Sequence, residues 1–188
     1  MSNKVGFVLI NALTGSRLAF ATAVAALTPW SRNERWAIIA SIVLIVAIEM
    51  TDLFDGMLAR QHGVVSTFGK LFDPYADSIS RIIVYWSLAV VGRCFPVVPL
   101  VMAVRDISVT YIRILLTRQG RDVSARYTGK VKAWVQGVCA PFLMAGPGVA
   151  WLHWTDWGTA MIWTGSIAVM AITLASLADY ALAYLRKS

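Results

Sequence analysis

The sequence predicts an all-α integral membrane protein with six transmembrane helices, and three observations lead to this fold class. Hydrophobic residues make up 58% of the 188 residues and charged residues only 14%, whereas an average soluble domain is about 45–50% apolar and about 25% charged. The mean hydropathy is +0.65. The apolar residues are also gathered into six runs, most of them close to the roughly 20 residues that a helix needs to cross a bilayer core of about 30 Å.

Each predicted span ends at a short segment with turn-forming or charged residues. In chain order these segments read PWSRNER, QHGVVSTFGKLFDP, GRCFP, RQGRDVSARYTGK and HWTDWG. The last span is the longest, and we expect it to tilt or to extend beyond the bilayer. Since no linker or low-complexity tract is visible, residues 1–188 are expected to form a single domain. The spans are predicted at 9–29, 36–61, 74–92, 95–117, 133–152 and 157–185.

The distribution of basic residues predicts the orientation of these spans. Ten Lys and Arg residues fall in the two tails and in the second and fourth loops, and three fall in the alternate loops. Because basic residues accumulate on the cytoplasmic side, both termini and the second loop are predicted to be cytoplasmic. The net charge of +7 is explained by this bias, so we expect no nucleic-acid partner.

Four aspartates flank the second loop, where charged carboxylates at a bilayer edge are costly unless they are neutralised. Asp52 and Asp55 are three residues apart, and Asp73 and Asp77 are four apart. On helices, each pair lies on one face, and the glycines of the loop allow the chain to turn back. The four carboxylates can therefore meet in one small volume.

A pair of divalent cations would neutralise such a cluster, since carboxylate oxygens suit hard ions such as Mg²⁺ or Mn²⁺. Two bridged ions are typical of phosphoryl chemistry, in which they offset charge on phosphate oxygens. The alternative is that each aspartate caps a helix or pairs with a nearby arginine. That alternative is reasonable for any one aspartate and weak for all four at helical spacing.

The neighbouring glycines and one arginine indicate a ligand close to these carboxylates. Gly56 directly follows Asp55 inside a predicted helix, where glycine is unfavourable, so close approach of a ligand or of another helix would explain it. Arg60 lies one turn beyond Gly56, and Gly69 precedes Asp73 by four residues. One ligand could contact all three positions.

These residues carry a resemblance to a known family. The segment DLFDGMLAR, then eight residues, then GKLFDPYAD resembles the signature D-x2-D-G-x2-A-R-x8-G-x3-D-x3-D of the CDP-alcohol phosphotransferases. The predicted six-span layout also agrees with that family, so the resemblance covers nearly the whole chain. Every fixed position of the signature matches: Asp52, Asp55, Gly56, Ala59, Arg60, Gly69, Asp73 and Asp77.

The resemblance implies transfer of a phosphatidyl-type group from a CDP-linked lipid to an alcohol, with release of CMP. It implies two divalent cations, Mg²⁺ or Mn²⁺, with Asp52 and Asp73 touching both, Asp55 completing one site and Asp77 the other. Asp77 would also be the catalytic base that takes the proton of the acceptor hydroxyl. The residues implied in CDP binding are Asn11, Thr14, Gly56, Arg60, Ser66 and Gly69.

Later basic residues indicate an acceptor that carries its own phosphate. The stretches RDISVTYIR and GKVKAWVQ are similar to stretches of phosphatidylglycerophosphate synthases, although Asp106 and Ala133 replace a usual Glu and Thr. On this reading the acceptor is sn-glycerol 3-phosphate and the donor is CDP-diacylglycerol. Pairing with Asp106 is an alternative for Arg105, and loop-flanking charge is an alternative for the two lysines. The candidate phosphate-binding residues are Arg105, Arg113, Lys130 and Lys132.

Other interpretations remain open at this point. The same family could use inositol phosphate or serine as acceptor, and an unrelated class, a cation transporter, also uses intramembrane carboxylates. The resemblance also implies a homodimer, and we expect the cytoplasmic (inner) membrane with the active site facing the cytoplasm. Arg17 could reach a substrate phosphate or snorkel to the interface. Glu49 and Arg81 are predicted to form a structural ion pair, and Asp179 is predicted to satisfy a polar partner.

Overall fold

The computed structural model describes the backbone of residues 2–62, 67–120, 127–146 and 155–185. It describes the side chains of residue 12 and of residues 14–52, 72–120, 127–146 and 157–185. Over these residues the chain is helical with no strand, which confirms the predicted all-α class. A short 3-10 helix at Trp30–Arg32 follows the first α-helix. The α-helices are α1 Ser2–Leu27, α2 Arg35–His62, α3 Thr67–Val90, α4 Val97–Arg118, α5 Tyr127–Ala145 and α6 Thr155–Leu185.

Three helices begin six or seven residues earlier than hydropathy predicted, and one of them is α1, which begins at Ser2 rather than at residue 9. Helix α3 begins at Thr67 rather than at residue 74, and α5 begins at Tyr127 rather than at residue 133. Hydropathy detects the stretch that suits an apolar environment, whereas a helix continues through polar residues until its backbone is interrupted. Pro74 lies inside α3, where it removes one backbone hydrogen bond. Because α3 begins at Thr67, Asp73 lies within this helix and not at its start.

The chain divides into two compact units, Met1–Val91 and Gly92–Ser188, and the expected single domain stays a prediction. In the first unit, α1 packs against both α2 and α3, while α2 and α3 have little direct contact. Small or branched residues such as Ala21 and Val24 are fully buried on α1. Helix α1 is therefore the element that connects the two aspartate-bearing helices.

In the second unit, α6 packs against both α4 and α5. Its buried face carries a stripe of polar residues, Ser166, Thr173, Ser176 and Tyr180. Each hydroxyl accepts a hydrogen bond from another part of the unit. The Phe95 backbone N–H donates to Ser166 and the Gln136 side chain donates to Thr173. The Arg105 side chain donates to Ser176 and the Arg113 side chain donates to Tyr180. Such bonds hold helices together where the surroundings are apolar.

Gly120 ends α4 in a left-handed backbone conformation with φ of +67°. The preceding residue, Gln119, donates its backbone N–H to the carbonyls of Leu115 and Leu116. Glycine adopts this conformation without a side-chain clash, and the arrangement satisfies carbonyls that the helix end leaves open.

Among the described residues, only Trp157–Leu185 of α6 has both the length and the hydropathy that a membrane-crossing helix needs, and 28% of the 18-residue window that meets this criterion is buried. A core helix of a soluble protein would be mostly buried. The six spans and the cytoplasmic orientation of the termini stay predictions.

The α5–α6 contact leads to a stability prediction at Gly165. A Cβ atom at this position would lie 2.8 Å from Cδ2 of Leu143, and Leu143 is fully buried, so it has little room to move. We expect Gly165→Ala to lower the free energy of unfolding by about 1–3 kcal/mol through overpacking. The measurement is the midpoint temperature of thermal unfolding in detergent.

Gly15 in α1 is the matched control, because a Cβ atom there meets nothing within 4 Å. Gly15→Ala should leave the unfolding temperature unchanged or raise it, since alanine is favoured over glycine in a helix by up to about 1 kcal/mol. Equal responses at the two glycines would contradict the close contact at Gly165.

Candidate functional site

Three of the four predicted aspartates have described side chains, and all three are partly open to solvent. Asp52 lies on α2 with 38% of its side chain exposed, and Asp73 and Asp77 lie on α3 with 51% and 28% exposed. Carboxylates with this exposure are open to a ligand. Asp55 is part of α2, but its side chain is not among those that the structure describes.

Arg17 of α1 joins the two aspartate-bearing helices. Its Nη1 atom lies 2.9 Å from Oδ1 of Asp52, and its Nη2 atom lies 2.9 Å from Oδ1 of Asp73. The arginine side chain is 0% exposed, so the expectation that it could snorkel to the interface is wrong. Because α1 contacts both α2 and α3, one guanidinium group can bind carboxylates from both.

A second buried arginine, Arg81 of α3, holds Asp77. Its Nε atom lies 3.0 Å from Oδ1 of Asp77, and its Nη2 atom lies 3.1 Å from Oε2 of Glu49. The second oxygen of Asp52 lies 4.0 Å from Nη2 of Arg81. The predicted ion pair between Glu49 and Arg81 is confirmed, and it is part of a larger network.

Helical spacing explains how the sequence builds this acidic cluster, which we define as Glu49, Asp52, Asp73 and Asp77 with Arg17 and Arg81. Asp73 and Asp77 are four residues apart on α3, and Arg81 follows after four more, so all three share a face. Glu49 and Asp52 are three residues apart on α2 and likewise share a face. Aspartates from the two helices meet at the arginines: Asp52 and Asp73 both contact Arg17, and Asp77 and Asp52 both lie within 4.0 Å of Arg81.

Among the described side chains the acidic cluster has more carboxylates than cations, because four carboxylates face two guanidinium groups. Negatively charged sites rich in oxygen ligands suit Mg²⁺ or Mn²⁺, so the carboxylate ligands fit the predicted cations. Among the described side chains, however, no three acidic, histidine or cysteine groups are arranged to hold an ion. The dinuclear site stays a prediction that includes Asp55.

Thr14 is the one predicted CDP-binding residue with a described side chain. It lies on α1, one turn before Arg17, and is 2% exposed. Thr14 therefore lies on the same helix as Arg17, which contacts both Asp52 and Asp73. The other five candidates are not among the residues whose side chains are described, so their roles stay predictions: Asn11, Gly56, Arg60, Ser66 and Gly69.

In the second unit, Asp106 gathers two of the predicted cationic residues. Its Oδ1 atom accepts hydrogen bonds from Nη1 of Arg105 at 2.8 Å and from Nζ of Lys132 at 2.9 Å. Both cationic side chains are nearly buried, at 9% and 7% exposed. Arg105 also donates from Nη2 to the hydroxyl of Ser176 at 2.6 Å, which ties α4 to α6.

Arg113 joins the same group through Tyr180 of α6. Its Nη2 atom donates to the Tyr180 hydroxyl at 2.8 Å, and its Cζ atom lies 5.4 Å from the centre of the tyrosine ring. The Cζ atom of Arg105 lies 5.5 Å from the centre of the same ring. We refer to Arg105, Arg113 and Lys132 with Asp106 and Tyr180 as the basic cluster.

The structure thus brings together three of the four residues predicted to bind the acceptor phosphate. Lys130 is exposed and forms no hydrogen bond or ion pair within the described part of the chain. Asp179 accepts a hydrogen bond from the Thr128 hydroxyl at 2.6 Å, which confirms that it satisfies a polar partner.

Sequence reasoning missed two central residues, the bridging Arg17 and the ring of Tyr180. The sequence shows Arg17 only as a cation one turn beyond Thr14, since no spacing rule connects α1 to residues 35 to 60 positions later. Tyr180 had a weak signal, a polar aromatic residue beside Asp179 in an otherwise apolar run. Each becomes visible only when helix packing is known.

Comparison with known proteins agrees with the geometry. Residues 7–170 match the family model for CDP-alcohol phosphatidyltransferase. The chain is 32% identical over 156 residues to the CDP-diacylglycerol–glycerol-3-phosphate 3-phosphatidyltransferase of Treponema pallidum, covering 81% of this chain and 71% of that protein. The Bacillus subtilis protein of the same name is 31% identical over 152 residues, covering 73% and 77%. A probable phosphatidylglycerophosphate synthase of Mycobacterium tuberculosis is 34% identical over 108 residues, covering 57% and 48%.

Proposed function

Since the chain belongs to the CDP-alcohol phosphatidyltransferase family, we propose that it transfers the phosphatidyl group of CDP-diacylglycerol to sn-glycerol 3-phosphate. The products are phosphatidylglycerophosphate and CMP, so the reaction is a step of phospholipid biosynthesis. Relatives that bear the name of this activity match most of the chain. The observation that carries the proposal is the meeting of Asp52 and Asp73, from two helices of the family signature, at Arg17.

In the proposed mechanism, the first unit binds the diphosphate of the donor. Asp52, Asp55, Asp73 and Asp77 would hold two divalent cations, which when bound neutralise charge on the diphosphate and on the leaving CMP. Arg17 keeps carboxylates of α2 and α3 at a fixed separation, and Arg81 fixes Asp77. The residues assigned to CDP are Asn11, Thr14, Gly56, Arg60, Ser66 and Gly69.

Asp77 is the proposed general base. Its carboxylate takes the proton of the primary hydroxyl of glycerol 3-phosphate, and that oxygen forms a bond to the β-phosphorus of CDP-diacylglycerol. The bond from this phosphorus to the oxygen of the CMP phosphate breaks, and CMP leaves. The contact with Nε of Arg81, 3.0 Å from one carboxylate oxygen, helps to fix the orientation of Asp77.

The basic cluster in the second unit supports an acceptor that carries a phosphate. Arg105, Arg113 and Lys132 supply three cations around one described carboxylate partner, Asp106, and guanidinium groups suit phosphate geometry. Serine has no phosphate to use them. Lys130, exposed on the first turn of α5, is proposed as a weaker, long-range attraction for the acceptor.

The proposed location is the cytoplasmic (inner) membrane, with six spans and the site facing the cytoplasm. Large apolar side chains lie exposed along helix faces, for example Leu100, Val104 and Ile107 on α4, as expected of surfaces that face lipid. The homodimer implied by the resemblance stays a prediction.

The test is an assay of CMP release by the purified protein with CDP-diacylglycerol, Mg²⁺ and one acceptor at a time. We expect CMP with sn-glycerol 3-phosphate and little with serine or inositol phosphate. Absence of CMP with all three acceptors would contradict the enzyme assignment, and CMP with only one of the other two would contradict the acceptor assignment.

Chelation tests the cation requirement separately. We expect EDTA to reduce CMP release to background, because the unbalanced carboxylates then repel the donor diphosphate. Added Mg²⁺ or Mn²⁺ should restore the rate, whereas added K⁺ at equal ionic strength serves as the control and should not. Activity that persists in EDTA would argue against the dinuclear site.

A further inference from the structure

Tyr180 is buried, at 4% exposed, in contact with two arginines of another helix. Arg105 and Arg113 are eight residues apart on α4 and both lie within cation–π distance of its ring, at 5.5 Å and 5.4 Å. Two guanidinium groups brought near one point repel each other. The negative face of an aromatic ring offsets part of that repulsion, and the hydroxyl fixes Arg113 through its Nη2 atom at 2.8 Å.

The two arginines retain donors that the described chain does not use. The Nε atoms of both are buried and have no hydrogen-bond partner among the described residues. Arg113 also has no carboxylate within salt-bridge distance in this part of the chain, in contrast to Arg105, which pairs with Asp106. Buried donors without a partner are costly, and an anion that accepts from them would remove that cost.

We propose that Tyr180 is a positioning residue that holds Arg105 and Arg113 in the arrangement that binds the phosphate of the acceptor. This inference rests on the proposed function, since it takes the acceptor to be a phosphorylated alcohol. In this proposal Tyr180 contacts neither the acceptor hydroxyl nor the β-phosphorus of the donor, and it acts only through the two arginines. Its loss therefore weakens binding of the acceptor phosphate and leaves binding of the donor unchanged.

The test compares Tyr180→Phe and Tyr180→Leu with the unmodified protein in the CMP assay. The phenylalanine keeps the ring and loses the hydroxyl bond to Arg113, and we expect the KM for glycerol 3-phosphate to rise about tenfold. The leucine removes the ring as well and should raise this KM by about 100-fold. In both variants kcat and the KM for CDP-diacylglycerol should stay within about twofold. The inhibition constant of inorganic phosphate against glycerol 3-phosphate should rise in parallel.

Tyr184→Phe is the matched control, because it removes a hydroxyl from the same helix one turn further on. It should leave all of these constants unchanged. If Tyr180→Phe leaves the acceptor KM unchanged, or changes the KM of both substrates together, the inference is wrong and Tyr180 is only a packing residue.

Gly129 gives a second approach if the Tyr180 variants do not fold. A Cβ atom there would lie 3.5 Å from the Tyr180 hydroxyl and 3.6 Å from Nη2 of Arg105, which is ordinary contact. Gly129→Ala should therefore be tolerated, whereas the longer side chain of Gly129→Leu must displace these groups and raise the acceptor KM alone. An unchanged acceptor KM in a folded Gly129→Leu protein would also overturn the inference.

Failure of the inference can be told apart from failure of the proposed function. If the unmodified protein releases no CMP with glycerol 3-phosphate, the proposed function fails before any variant is compared. If it does release CMP and the variants behave as the control does, the function stands and only the role of Tyr180 is refuted.

Discussion

Asp77→Asn is expected to lower kcat for CMP release by at least about 10³-fold. An amide cannot accept the proton of the acceptor hydroxyl, and general-base catalysis alone contributes roughly 10²- to 10⁴-fold. The change also removes one charge from the proposed cation ligands. Binding of CDP in the presence of Mg²⁺, measured by calorimetry, should be largely kept, because the other three aspartates and the CDP-binding residues remain.

The fold should survive this substitution. Arg81 loses its ion pair with Asp77, but its Nη2 atom still lies 3.1 Å from Oε2 of Glu49 and 4.0 Å from Oδ2 of Asp52. Its buried positive charge therefore keeps a carboxylate partner. Asparagine also has nearly the volume of aspartate. A loss of activity without a change in unfolding temperature is therefore the expected pattern.

Glu34→Gln is the matched control, since it makes the same chemical change at an exposed carboxylate between α1 and α2. It should leave kcat and CDP binding unchanged. If Asp77→Asn weakens CDP binding as much as Arg60→Ala does, Asp77 acts in donor binding and the assignment as general base is wrong.

The helices and the aspartate pairs were predictable because they depend on local patterns. Long apolar runs between polar segments located all six helices, with starts wrong by six or seven residues at α1, α3 and α5. Helical spacing predicted that Asp73 and Asp77 share a face. The pair of Glu49 with Arg81 does not follow from spacing; it was predicted because each residue is a charged group on one of the two aspartate-bearing helices.

The partners of these residues depend on which helices pack together, and the sequence does not contain that in any local pattern. The position of Arg17 between Asp52 and Asp73 requires that α1 contact both α2 and α3. The contact of Tyr180 with two arginines requires that α6 pack on α4. In both cases composition indicated a polar residue in an apolar run, and packing alone identified what it contacts.

Arg17→Gln is expected to lower CMP release by about 10- to 100-fold and to raise the Mg²⁺ concentration for half-maximal activity by a similar factor. Groups that hydrogen-bond metal-ligating carboxylates orient them, and their loss typically has effects of this size. Without the guanidinium, Asp52 and Asp73 repel each other and lose the contact with α1 that holds them at a fixed separation. Glutamine is also too short to reach both carboxylates.

Arg17→Lys separates charge from geometry. Lysine keeps the positive charge, but its single ammonium group replaces the two nitrogens that each lie 2.9 Å from a different carboxylate. We expect it to recover only part of the lost activity. Arg32→Gln serves as the control, because it removes an exposed arginine of the same unit that donates to the Val90 carbonyl, and it should leave the Mg²⁺ requirement unchanged.

A guanidinium group between two carboxylates has two possible relations to a divalent cation, and the Mg²⁺ titration decides between them. If Arg17 orients the carboxylates, its removal weakens Mg²⁺ binding, and direct Mn²⁺ binding followed by electron paramagnetic resonance should show the same loss without any turnover. If Arg17 instead competes with the cation for the same oxygens, Arg17→Gln binds Mn²⁺ more tightly. We expect the first result, since Asp52 and Asp73 are 38% and 51% exposed and so have open surface for a cation while Arg17 holds them from the buried side.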